Sequence, residues 1–464
     1  MFEQFDLVVV GGGPGGYVAA IRGAQLGLKT ALVEKEHLGG ICLNWGCIPT
    51  KALLRSAEVL RNIKNAKSYG LSVGPAEADL GAIVKRSRRI SNRLSKGIAY
   101  LLKNNEIKLF DGVGKIVKPG LLSVANGAEQ VEIAARHIVL ATGARPLQLK
   151  GLEADGELVW TYKEAMTPEE VPGKLMIVGA GAIGLEFASF YNELGSQVTV
   201  VEGLSRVLPT GDEETSLMLG KELKRSGIEI RTGTFLKGIA RQGEGVNIAL
   251  ECQGEVETMN VDRVLLAMGV VGNVENLGLE KTAVQVEKGV IKVDQWLQTD
   301  EPGIYAIGDV TGPPCLAHKA SHEGVICVEK IAGIEHVKPL QRDAIPYCTY
   351  THPQVANVGL TEVEARDRGH NIRVGKFPFR ANGKAIAIGE TDGLVKTIID
   401  ADTGELLGAH MLGSEVTEMI QGYGIALNQH ANEDDLRHTV FAHPTLSEMM
   451  HEAVLDASDM ALHL

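Results

Sequence analysis

Two stretches of the chain repeat one pattern of apolar and polar positions. Phe5-Asp6-Leu7-Val8-Val9-Val10 is a short apolar run that breaks into Gly11-Gly12-Gly13-Pro14-Gly15-Gly16. Lys174-Leu175-Met176-Ile177-Val178 breaks in the same way into Gly179-Ala180-Gly181-Ala182-Ile183-Gly184. Each run is short, continuous and rich in branched residues, as a strand buried on both faces should be. Each glycine cluster opens a stretch of helical character. Each stretch then reaches a second apolar run that closes on an acid, Lys29 to Glu34 and Gln197 to Glu202. The acid lies the same number of positions beyond the first glycine in both copies.

The remaining pattern sorts around this repeat. Val139-Leu140-Ala141-Thr142-Gly143 reads as the strand that closes the first unit. Within it, residues 56–105 carry Lys, Arg, Leu and Ile at helical spacing and predict a long amphipathic excursion. A return segment ends in the Gly308-Asp309 turn. The last part alternates strand-like runs, Val355 to Gly359 and Gly393 to Ile399, with turn residues and then ends in helices, an α+β unit. The predicted fold class is therefore α/β: two Rossmann-like dinucleotide-binding domains plus a C-terminal α+β domain suited to dimerisation. The expected boundaries are 1–147 for the first dinucleotide domain, 148–272 for the second, 273–343 for a central segment completing the first site, and 344–464 for the interface domain.

The spacing G-x-G-x-x-G has a physical rationale. The first glycine (Gly11, Gly179) permits the tight turn, the second (Gly13, Gly181) lets backbone approach a pyrophosphate, and the third (Gly16, Gly184) lets helix and strand pack closely. The pyrophosphate then sits at a helix N-terminus, where free N–H groups favour an anion. Glu34 and Glu202 are placed to accept from a ribose diol. Two such sites in one chain imply two cofactors, one held flavin and one exchanging nicotinamide. A carboxylate at Glu202 would repel a 2′-phosphate, so NAD is expected over NADP, although Arg206 stands nearby.

Composition narrows the classes. The chain has 464 residues and a formal charge of −12, a poor fit to a nucleic-acid or anionic-membrane binder. No apolar run approaches the roughly 18 residues of a membrane span. Met1 is followed within a few residues by the first strand, with no signal-peptide pattern, so a cytoplasmic location is expected. A mature organelle-matrix form is the alternative. Of six cysteines, Cys252, Cys315, Cys327 and Cys348 stand singly and read as small hydrophobes.

Cys42-Leu43-Asn44-Trp45-Gly46-Cys47 is different, because it pairs two thiols directly after the first dinucleotide unit. A structural disulfide, a zinc site lacking further ligands, and a redox-active pair are the three readings. The last accounts best for the adjacent cofactor motif. Thiol exchange needs a thiolate, hence a base. His443 is the candidate, with Glu448 five positions on to orient its ring. An imidazole titrates near working pH and can take and return a thiol proton. His352-Pro353 is a local look-alike without a matching acid nearby in sequence and is read as structural. Lys51, on the helix that Pro49 is expected to start, places an ammonium near the flavin.

With Gly40-Ile41-Cys42 to Lys51, Ala141 to Ala144, Gly303 to Asp309, Leu316 to Ala320 and His443 to Glu448 in place, the chain resembles the flavin disulfide reductase family over nearly its whole length. The resemblance implies FAD contacts from Glu34, Lys35, Gly40, Lys51, Gly114, Thr142, Gly143, Ala144, Asp309, Cys315, Leu316, Ala317 and His318. It implies NAD contacts from Gly179, Gly181, Gly184, Glu186, Glu202, Phe235 and Gly269, and an ion pair of Lys51 with Glu186 beside the flavin. It makes Cys42 the thiol that exchanges with substrate and Cys47 the one that faces the flavin. The His443–Glu448 pair would come from the second subunit of a homodimer. The implied reaction oxidises a protein-bound dihydrolipoyl group to its disulfide and reduces NAD, on lipoyl-bearing carriers of a 2-oxoacid dehydrogenase or glycine-cleavage complex. An NADPH-dependent reductase of the glutathione-reductase type is the alternative. A mercuric-ion reductase would carry a further cysteine pair near the C-terminus, and residues 455–464 have none. A purely docking role sits badly with an intact thiol pair. Two positions depart from the family pattern: Val270-Val271-Gly272-Asn273 replaces a usual Arg-x-Pro-Asn run, and Cys315 stands where methionine is common.

Overall fold

The computed structural model describes residues 3–464; Met1 and Phe2, where the first domain is expected to open, lie outside the described residues. The chain forms two compact units, each discontinuous in sequence. One comprises the residues up to Leu53 with Asp79–Gln148 and Gly269–Leu340. The other comprises Leu54–Ala78, Leu149–Met268 and Gln341–Leu464.

The first unit is built on a parallel sheet in the order Lys108–Asp111, Thr30–Glu34, Glu3–Val10, Glu129–Leu140, with Ile304–Ala306 parallel to the far end of the last strand. The other end of Glu129–Leu140 carries antiparallel Leu121–Asn126 and Val113–Lys118. Side chains alternate across a strand. Leu7 and Val9 therefore enter one core with Ala19, Leu32 and Ile326, while Val8 and Val10 enter another with Ala31, Val33 and Ile304. Both faces are covered, which is why the run is continuously apolar.

The second unit repeats the design. Its parallel sheet runs Glu229–Thr232, Gln197–Glu202, Lys174–Val178, Arg263–Leu266, Val159–Trp160. An antiparallel excursion of Thr234–Gln242, Gly245–Cys252 and Glu255–Val261 follows, as in the first unit. The same unit holds a five-stranded antiparallel sheet, Tyr347–Thr349, Gln354–Gly359, Leu406–Gly413, Leu394–Asp400 and Ile372–Pro378. Helices Val416–Asn428 and Glu448–Asp456 join its core through Tyr423, Met449 and Ala453. The α/β class with a C-terminal α+β part is thus what the chain adopts.

The excursion at 56–105 departs from its expected form. It is two helices, Cys47–Lys64 and Leu80–Asn104, separated by a short 3-10 turn and irregular chain. Leu54–Ala78 belongs to the second unit, where Arg61 pairs with Glu193 at 3.5 Å, Lys64 donates to Glu193 O and Tyr69 to Ile388 O. The first helix also starts at Cys47 and not at Pro49. A proline in the first turn costs nothing there, because that turn's N–H groups have no intrahelical partner. No helix among the described residues is long and apolar enough to cross a membrane.

Candidate active site and cofactor cradles

The first cradle follows from sterics. Gly11 has φ +106°, and a Cβ there would overlap Ala141 O; one at Gly16 would overlap Gly11 O. Gly13 is different. It caps the helix Pro14–Gln25, and a Cβ there would meet only Gly40 Cα, at 3.9 Å. The fold does not require glycine at 13, so the bare backbone serves something that approaches from outside. The helix has no side-chain cap and no acid in its first turn, which suits an anionic ligand. Glu34 is fixed by Gly12 N at 2.6 Å and Glu36 N at 2.8 Å, leaving lone pairs for a diol.

The second cradle has the same construction. Gly179 has φ +108° and packs on Ala267 O, Gly184 packs on Gly179 O, and Gly181 has nothing within 4 Å of its missing Cβ. Glu202 accepts from Ala180 N at 2.8 Å and Leu204 N at 2.9 Å. Arg206 turns a guanidinium N–H onto Pro209 O, so it is engaged by the loop. The Phe235 ring lies over Gly203, where a Cβ would come within 2.7 Å of it. Glu186, buried on helix Ala182–Glu193, accepts from Tyr350 N at 3.1 Å. Both cradles fit a dinucleotide.

The other expected flavin positions lie in the same unit as the first cradle. Thr142 Oγ1 donates to Asn273 O, and Asn273 Nδ2 returns a bond to Thr142 O, at 2.8 and 2.9 Å. Val270–Gly272 pairs antiparallel with Ala144–Pro146. The unusual run before Asn273 therefore keeps a regular ladder, and Asn273 clamps Thr142-Gly143. Gly269 bonds Leu147 N and belongs to this first unit. Gly114 has an internal packing reason, since a Cβ would press on Val10 at 3.0 Å. Lys35, Cys315 and His318 are exposed; Gly40, Leu316 and Ala317 are partly buried.

The turn that carries Asp309 is held by Lys319 and Glu323, neither of them among the expected site residues. Lys319, 1 % exposed, donates to Gly308 O, Thr311 Oγ1 and Gly312 O and pairs with Glu323 at 3.3 Å. Glu323 in turn accepts from Gly308 N at 2.7 Å. Burial raises the Asp309 carboxyl and Lys319 opposes that shift. The signal was present as a Lys–Glu pair one helical turn apart, but such pairs usually face solvent.

The two thiols are reduced and hydrogen-bonded to each other. Cys42 is half-buried in the short helix Gly40–Trp45, and Cys47, the more exposed, opens the next helix. The hydrogen bond between them and burial both raise Cys42, with Lys51 pulling the other way and Asp309 adding to the rise. Lys51 follows Cys47 by one turn, on the same helix face.

His443 Nδ1 meets Glu448 Oε1 at 2.9 Å, and Thr445 N holds the other carboxylate oxygen at 2.9 Å. Burial works to raise Glu448, but Thr445 N–H and the imidazole outweigh it and hold the carboxyl low. The His443 side chain is 79 % exposed and is presented outward. His352 does meet an acid in space, Glu390 at 3.9 Å. Burial, then Arg61, nevertheless lower it to about 4, so it stays neutral and structural.

These parts define a flavin- and nicotinamide-dependent thiol–disulfide oxidoreductase. Residues 5–324 match the family model for pyridine nucleotide-disulphide oxidoreductases, and residues 345–454 match its dimerisation domain. The chain belongs to this family, is a homodimer-forming oxidoreductase, and uses FAD and NAD. Among its relatives is the dihydrolipoyl dehydrogenase of Zymomonas mobilis, 51 % identical over 466 residues and covering all of both chains. The dihydrolipoyl dehydrogenase of Rhizobium etli is 50 % identical over 480 residues, again with full coverage of both. Among solved structures, LpdA from Mycobacterium tuberculosis superposes with a TM-score of 0.91 at 27 % identity, covering 97 % of this chain and 99 % of that one.

Proposed function

We propose that the chain oxidises the dihydrolipoyl group of a carrier protein to the cyclic disulfide and reduces NAD to NADH. The observation that carries this reading is the reduced Cys42–Cys47 thiol pair placed in the same unit as a complete dinucleotide cradle and next to Lys51. In the oxidised enzyme the two sulfurs form a disulfide. His443, oriented by Glu448 and contributed by the partner subunit, takes a proton from one substrate thiol. That thiolate attacks Cys42 Sγ, the Cys42–Cys47 bond breaks, and Cys47 leaves as a thiolate. The second substrate sulfur then closes the lipoyl disulfide and releases Cys42, to which that thiol's proton passes, while the first proton stays on His443. Two electrons have moved from substrate to the pair. Cys47 would face the bound FAD, which would supply the electron and hydride chemistry linking the pair to NAD, and the proton left on His443 is the one released overall.

Gly13, Glu34, Thr142-Gly143 and Asp309 would hold the flavin, with Lys51 supplying positive charge beside it. Gly181, Glu186 and Glu202 would hold the NAD. Glu202 favours NAD because a 2′-phosphate would meet a carboxylate already fixed by two backbone donors. The carriers served would be lipoyl domains of a 2-oxoacid dehydrogenase or glycine-cleavage complex, in the cytoplasm or in an organelle matrix. Replacing Cys42 by Ser tests the reading. Dihydrolipoamide-dependent NADH formation should fall by roughly 10⁴-fold or more while flavin content is kept. Turnover that survives the change would show that the pair is not the electron entry.

A further inference from the structure

Arg88 lies on the helix Leu80–Asn104 and reaches the chain between the two thiols. Its guanidinium carbon stands 4.7 Å from the centroid of the Trp45 ring. One terminal N–H donates to Asn44 O at 2.6 Å and the other to Ser91 Oγ at 3.4 Å. Its Nε is buried and has no hydrogen-bond partner among the described residues. An arginine placed so loses hydration without full replacement, and burial holds its pKa down. The fold tolerates that cost at the midpoint of the redox loop.

The same loop is held from other sides. Asn44, buried, donates to Leu38 O and Gly40 O at 3.0 and 2.9 Å and accepts from Ser95 Oγ at 3.1 Å. Thr50 Oγ1 binds Gly46 O at 2.7 Å. Buried Ser87 and Ser91 keep the facing helix small enough for this approach. Lys51 is the cation that lowers Cys42, while Arg88 meets the loop at Trp45 and the Asn44 carbonyl.

We propose that Arg88 is a positioning residue for the redox pair, clamping Trp45 and the Asn44 carbonyl so that Cys42 and Cys47 stay within bonding reach when reduced. This rests on the reading of the pair as redox-active. A dithiol equilibrates with its disulfide, losing two electrons and two protons as the S–S bond forms. The position of that equilibrium depends on how often the sulfurs meet. A clamped loop keeps them together and favours the disulfide. A loosened loop gains freedom only in the dithiol form, so the pair becomes easier to reduce.

The test equilibrates the holoenzyme anaerobically with dithiothreitol buffers of graded oxidation state, then quenches in acid and reads alkylation of Cys42 and Cys47. Arg88→Ala and Arg88→Met should be half-reduced at about a tenfold more oxidising buffer than the parent, roughly 30 mV. Arg88→Lys keeps a cation over the ring but lacks the planar fork, and Trp45→Phe keeps a smaller ring, so both should shift less. Flavin content and melting temperature identify folded variants, and the two conservative changes carry the test should the others misfold. Titration of all folded variants at the parent's midpoint would overturn the clamp alone. A parent pair that no buffer reduces would overturn the redox reading itself.

Discussion

The two glycine cradles are nearly the same object built twice, and the surroundings make them different. Gly11 and Gly179 have φ of +106° and +108°, and each following acid accepts a backbone N–H from the glycine turn. The contrast begins two residues after the helix cap. In the first cradle that position is Gly15, and its missing side chain lets the helix Ala317–Ile331 close over the glycine helix. A Cβ at Gly15 would lie 3.0 Å from Ala320 O, and one at Gly324 would lie 2.7 Å from Gly15 O. In the second cradle the position is Ile183, 43 % exposed. The fifth sheet strand differs too. Ile304–Ala306 leads into the Asp309 turn that Lys319 pins, whereas Val159–Trp160 leads into the short helix Tyr162–Met166. A covered cradle suits a cofactor that stays, and an open one suits a cofactor that exchanges at each turnover.

Breaking each turn in isolation should separate these roles most sharply. Gly11→Ala should yield protein purified without flavin. Gly179→Ala should purify yellow yet lose about 100-fold in NADH formation, since the misplacement falls on one site only. Flavin absorbance and NAD kinetics on the two proteins decide; flavin loss from both would erase the distinction.

Each unit also buries a lysine, and the two do different work. Lys319 holds the turn at Asp309, while Lys396 pairs with Asp212 at 2.9 Å and Glu362 at 3.1 Å, tying the cap of helix Glu213–Arg225 to the antiparallel sheet. Asp212→Ala should destabilise the second unit by about 1.5–3 kcal/mol, because it removes one charged hydrogen bond from a buried ammonium that Glu362 still partners. Burial pushes Asp212 up, but His410 and then Lys396 bring it below its ordinary value. A carboxyl depressed by folding stabilises above its unfolded pKa, near 3.9, and that contribution is lost as pH falls through the folded value. Acid melting curves of Asp212→Asn should therefore be flatter than the parent's below about pH 4; parallel curves would remove Asp212 from the account.

The smallest effect belongs to cofactor choice. Glu202→Ala should weaken NAD by about tenfold, one charged hydrogen bond's worth, and narrow its lead over NADP. Unchanged KM values for both nucleotides would place the ribose elsewhere.

What was legible in the chain is what is local. Glycine spacing, acid offset and the thiol pair each lie within a few turns of one another, so Gly13, Glu34, Cys42 and Cys47 could be found by pattern. Asn273 on Thr142, Lys319 under the Asp309 turn and Arg88 over Trp45 could not. Asn273 and Arg88 depend on partners far along the chain, Lys319 on being buried beside near neighbours, and nothing in local periodicity distinguishes a buried Lys or Arg from a solvated one. The Leu54–Ala78 tip escaped for the same reason, since Arg61 and Tyr69 find their partners at Glu193 and Ile388.

The central claim is that electrons enter at Cys42–Cys47 and leave on NAD. Anaerobic addition of dihydrolipoamide to the purified holoenzyme, followed by NAD, tests it directly by absorbance. The account predicts a long-wavelength band from a thiolate beside the flavin, then its loss as NADH forms. A flavin that ignores the dithiol but bleaches with NADPH would contradict it and favour a reductase of the glutathione type.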